Sequence, residues 1–69
     1  MRKEILNSLK KQFEASIEKH RVNIEIMLNN PMAIHDHTDL VGSIEKELSG
    51  ISEYQDKLEA LELYFNERQ

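Results

Sequence analysis

The 69-residue chain has no cysteine, one proline, two glycines and no long apolar run. Without cysteine there is no disulfide framework, no thiolate zinc site and no cysteine nucleophile. With so few turn formers, a chain rich in Leu, Ile, Glu and Lys is a helical one. Charged residues make up 32% and hydrophobic residues 39%, too apolar for a disordered tail and too polar for a membrane span. The N-terminal stretch Met1 to Lys11 has basic residues but no unbroken apolar segment, so no signal peptide is expected. The length allows one folding unit.

The one strong break is Asn29-Asn30-Pro31. Proline lacks the amide donor and disfavours helix in the residue before it, so a helix arriving here stops near Asn29 or Asn30. Start signals follow in His35-Asp36-His37-Thr38-Asp39. Asp36 or Thr38 can accept hydrogen bonds from the first free amides, and Asp39 puts negative charge at the positive end of the helix dipole. The expected organisation is a helix over residues 2–29, a corner over 30–37 with Met32, Ala33 and Ile34 folded over the hairpin end, and a helix over 38–66. Each arm is then about 42 Å long, and equal arms on a short connection lie antiparallel.

Apolar residues recur every three or four positions, which is one helical face. The first arm carries Leu6, Leu9, Phe13, Ile17, His20, Ile24 and Met27 or Leu28, and the second Val41, Ile44, Leu48, Ile51, Tyr54, Leu58, Leu61 and Phe65. These predict the hairpin core. Residues 1–34 hold six basic groups and four acids, net +2; residues 35–69 hold three and nine, net −6, which together give the chain's −4. If partners across the hairpin have numbers summing to about 68, then Lys10 and Lys11 face Asp56 and Glu59, and Arg21 faces Glu45 and Glu47. Exposed pairs of this kind contribute only about 0–1 kcal/mol each, so they select register and burial must supply stability.

Two helices alone enclose no core. Ordering costs roughly 1.5 kcal/mol per residue, on the order of 100 kcal/mol for this length, and small chains commonly offset it with disulfides, metals or partners. Apolar residues outside the stripe point to a partner. Ala15, Val22 and Ile26 project from the opposite side of the first helix, and Leu63 and Tyr64 lie off the stripe of the second. Gly42 with Ser49, and Gly50 with Ser43, line two edges of the second helix. A helical glycine costs about 1 kcal/mol relative to alanine, which points to close approach by a neighbouring backbone. Ala15, Val22, Ile26, Gly42, Gly50, Leu63 and Tyr64 are therefore the expected oligomer interface. The favoured assembly is a homodimer forming a four-helix bundle, since twofold dimers are the commonest.

Chemistry is sparse. His35, Asp36 and His37 could ligate a divalent ion, but an acid-rich helix start explains the same letters, so no metal or cofactor is expected. His20 interrupts the apolar stripe; it reads as a core histidine satisfied by Glu47 or Ser52, with a pH switch as the alternative. Glu45, Glu53, Glu59 and Glu62 alternate with Lys46 and Lys57 as a solvated face does. No phosphate loop, Ser-His-Asp set or His-Glu-x-x-His string occurs, and a lone hairpin offers no cavity for a substrate. An enzyme is not expected. Arg2, Lys3, Lys10 and Lys11 could touch phosphates, but acidic net charge and the lack of interleaved aromatics argue against nucleic acid.

The run Val22-Asn23-Ile24-Glu25-Ile26-Met27-Leu28-Asn29-Asn30-Pro31, then His37-Thr38-Asp39, then Ile44-Glu45-Lys46-Glu47-Leu48 through Asp56-Lys57-Leu58-Glu59, resembles small uncharacterised proteins of contractile-tailed phages that infect marine cyanobacteria and other marine bacteria. The resemblance implies a phage origin and a helical hairpin, and assigns no activity to any residue. The expected function is a non-enzymatic structural or adaptor module that self-associates, in the cytoplasm of an infected host cell or in the virion. The alternative is an accessory factor that docks its apolar face on a host or virion protein.

Overall fold

Proline at position 31 steers Asn30 out of the helical region, and the backbone follows. In the computed structural model, which describes residues 1–30 and 37–66, helix α1 spans Arg2–Asn29. Asn30 sits at φ −134°, ψ 57° and closes the helix with its own amide, which donates to the Ile26 carbonyl at 3.0 Å. Its side-chain Nδ2 donates to the same oxygen at 3.3 Å. Helix α2 spans His37–Phe65, so Thr38 stands inside the first turn and Asp39 supplies the acidic charge there. The expected corner residues 31–36 lie outside the described residues, as do the side chains of His37 and Thr38.

The described residues form no strand; the two helices run antiparallel and pack on each other. On α1 the half-buried side is Leu6, Leu9, Phe13, Ile17, His20, Ile24 and Met27, with Ser16 and Asn23 beside them. On α2 the contact line is Leu40, Glu47, Tyr54 and Leu61, spaced by sevens, flanked by Ser43, Ile44, Gly50, Ile51 and Leu58. This corrects the expected stripe at three places. Val41 and Leu48 are 67% and 53% exposed, because α2 is rolled to turn Glu47 toward α1, where it binds His20 and Asn23. Phe65 is also half exposed, at the end of the hairpin where α1 is only beginning.

Register differs as well. Lys10 Nζ meets Glu62 Oε1 at 3.4 Å, about one helical turn beyond the expected Asp56 and Glu59. Arg21 turns back to Glu18 on its own helix, with Nε and Nη2 donating to the two carboxylate oxygens at 3.0 and 2.7 Å. A partner three residues away needs no particular tertiary register, so the local fork prevails over the cross-helix pair.

The hairpin is a rod of 50 × 15 × 15 Å with a radius of gyration of 15.6 Å, against about 11 Å for a compact chain of this length. No described side chain is fully buried. Its accessible surface is 5598 Å², whereas a folded monomer of this mass exposes about 4,500 Å². The excess follows from architecture: two helices bury one stripe each, and no further layer covers them.

Candidate interaction site

The middle of the seam is polar. His20 Nδ1 lies 2.8 Å from Glu47 Oε1, and because a carboxylate only accepts, the imidazole proton resides on Nδ1. Asn23 Nδ2 donates to the same oxygen at 3.0 Å. The two hydrogen bonds, first from His20 and then from Asn23, hold the Glu47 carboxyl below its usual range against the opposing effect of desolvation. His20 and Glu47 side chains are each about 20% exposed, so the cluster is sheltered but reaches water.

Rings complete the cluster. Tyr54 lies between Phe13, at a centroid distance of 6.1 Å, and His20, at 6.2 Å and nearly parallel. Lys57 Nζ stands 4.8 Å over the Tyr54 ring while pairing with Glu53 at 3.1 Å. Gly50 makes the imidazole's position possible: a β-carbon there would fall 2.5–2.7 Å from His20 Nε2, Cε1 and Cδ2. Gly50 therefore lies in the hairpin seam, against His20. The close neighbour that its glycine accommodates is a side chain of the same chain. The arrangement orients an imidazole against an acceptor carboxylate, which is also held by an amide.

The other residues expected at an oligomer interface are dispersed. Ala15, Val22 and Ile26 are exposed on the outer side of α1, Leu63 and Tyr64 are exposed near the open end of α2, and a β-carbon at Gly42 would meet nothing within 4 Å. The outer sides of α1 and α2 face away from each other, so one flat partner surface cannot cover both groups.

A different strip is continuous. Lys10 and Glu62 meet across the hairpin, which identifies the edges of α1 and α2 that border the same broad face. Steps of seven return to nearly the same side of a helix, drifting about 20° each. From Lys10 they reach Ile17 and Ile24, with Leu28 one turn further; from Glu62 they reach Gln55, Leu48 and Val41. Leu28, Val41 and Leu48 are 58%, 67% and 53% exposed. The opposite face carries Ser16 and Asn23 on α1 and Ser43 and Lys57 on α2. Hydrophobic spacing alone placed Val41 and Leu48 in the core; the signal for their true position was Glu47, which His20 requires as a partner.

At the open end the helices leave a groove of about 470 Å³ with an apolar floor of Leu6, Leu61 and Phe65 and a rim including Lys3, Glu4, Lys10 and Glu62. The expectation that a lone hairpin offers no cavity is thus corrected by this open cleft of mixed charge. Lys10, one of the four residues considered for phosphate contacts, is paired with Glu62. No described residues form a group of three or more that could hold a metal ion; His35 and Asp36, and the His37 side chain, are outside that description. No helix among the described residues is long and apolar enough to cross a membrane. No protein-family model matches the chain, and neither a curated protein nor a solved structure matches it.

Proposed function

We propose that this chain is a non-enzymatic interaction module that acts by self-association, two hairpins forming a four-helix bundle. One observation carries the reading: a folded hairpin without a fully buried described side chain, exposing about 1,100 Å² beyond a typical monomer of its mass. A standard stable interface removes about 800 Å² from each partner, so a second copy can account for most of that excess. The resemblance to small phage proteins implies a phage origin, and with it a place in an infected cell or a virion, without assigning a role. The polar cluster at His20 supports a role in fixing the register of the two helices, as buried polar pairs do in coiled coils.

Light scattering tests this on the unmodified protein. A mass of twice the 8.1 kDa chain, with a melting temperature that rises with concentration, is the expected result. A monomer with little helix, gaining helicity only with a host or virion protein, would replace self-association by the adaptor reading. A stable, fully helical monomer at micromolar concentration would remove both.

A further inference from the structure

The hairpin has two unlike broad faces, and only one suits a second copy of itself. Near the corner, one face presents Ile24 and Leu28 from α1 beside Val41, Ile44 and Leu48 from α2, bordered by Arg21, which is paired with Glu18, and by Glu45. Toward the open end the same face becomes charged at Lys10 and Glu62. An isologous contact must be complementary to itself. A strip that is apolar along its middle, with one basic and one acidic residue at its borders, meets that condition, whereas the opposite face carries Lys57 and the hydrogen-bonded Asn23.

Resting on the self-association reading, we propose that two copies pack through the face bearing Leu28, Val41 and Leu48, with both corners at the same end of the bundle. Two twofold arrangements can bring this face together. With the axis along the rod, α1 of each copy lies on α2 of the other, and the apolar halves coincide. With the axis across the rod, α1 lies on α1, and the apolar half of each copy covers the charged half of the other. The half of the chain containing α1 is net +2 and the half containing α2 is net −6. Charge complementarity and apolar overlap therefore select the same arrangement. Every neighbouring pair of helices is then antiparallel, and the two α1 helices are diagonal. Val22 and Ile26, on the outer side of α1, remain in water.

The absence of native cysteine permits single-site labelling. Asn29→Cys, exposed at the corner end of α1, carries a spin label, and the label–label distance is measured by double electron–electron resonance. Corners at one end give roughly 20–35 Å, two to three helix diameters. A distance approaching the 50 Å length of the rod overturns the arrangement. Sedimentation equilibrium supplies the second arm. Leu48→Lys is expected to weaken dimerisation at least about 30-fold, as loss of a central contact does, while Val22→Glu with Ile26→Lys leaves the mass unchanged. The reverse pattern overturns the choice of face while leaving self-association standing. A monomeric unmodified protein removes the underlying reading itself. Because the label site requires no disruptive substitution, the distance decides the arrangement even if Leu48→Lys fails to fold.

Discussion

The two glycines of α2 provide a matched pair of substitutions with opposite expected signs. Alanine is favoured over glycine in a helix by about 1 kcal/mol. At Gly42 nothing lies within 4 Å of the new β-carbon, so Gly42→Ala gains that amount, and Tm rises by about 4–8 °C for a domain of this size. At Gly50 the β-carbon lands 2.5–2.7 Å from three atoms of the His20 ring. Ordinary contact requires the ring to retreat by about 1 Å, and overpacking of this kind costs about 1–3 kcal/mol. A retreat away from Glu47 also stretches the 2.8 Å His20–Glu47 hydrogen bond beyond bonding distance. The net effect of Gly50→Ala is a loss of up to about 2 kcal/mol after the helix-propensity gain. Thermal melts followed by circular dichroism at one fixed protein concentration measure both variants. In a His20→Ala background the clash is absent, so Gly50→Ala there becomes stabilising, and a double-mutant cycle reports the difference as coupling. If Gly50→Ala raises Tm as much as Gly42→Ala does with His20 in place, the assigned packing of His20 against Gly50 is wrong.

Three further outcomes follow from the seam. The folded Glu47 carboxyl is held below its ordinary 4.5, so the unfolded chain takes up that proton first; the contribution is present above about pH 4.5 and disappears as pH falls through the lower folded value. Glu47→Gln should flatten this acid limb of Tm against pH more than the exposed control Glu18→Gln, whose carboxyl is lowered by Arg21. Tyr54→Ala removes the ring between Phe13 and His20 and should cost about 2 kcal/mol, near half the value for a fully buried aromatic, while Tyr54→Phe should change stability by less than about 0.5 kcal/mol; equal losses in both would locate the effect in the hydroxyl. The exposed Lys10–Glu62 pair, at 3.4 Å, should show a coupling below about 1 kcal/mol in a double-mutant cycle, diminishing with salt.

The sequence makes the ends of α1 and its buried side readable because both depend on local chemistry. Pro31 acts on Asn30 directly, and the stripe from Leu6 to Met27 is interrupted only by His20. The roll of α2 depends on a long-range polar demand. Apolar spacing from Ile44 leads to Leu48, whereas the observed line passes through Glu47, a residue that hydrophobicity counts against burial. With Glu47 on the contact line, Leu48 lies about 100° further round the helix, where it falls outside the seam and is 53% exposed. Gly50 shows the same limit: its composition signals close approach, but only the fold identifies the neighbour as His20. The paired charges of Lys10 and Glu62 were equally hidden, because the offset between helices is set by packing along the whole seam.

Sedimentation equilibrium of the unmodified protein at micromolar concentration and neutral pH tests the central proposal most directly. Self-association predicts a species of twice the 8.1 kDa chain mass that dissociates on dilution with loss of helix. A single 8.1 kDa species retaining full helicity and the same Tm across a hundredfold dilution range, roughly 2.7 kcal/mol in mass-action terms, would contradict it.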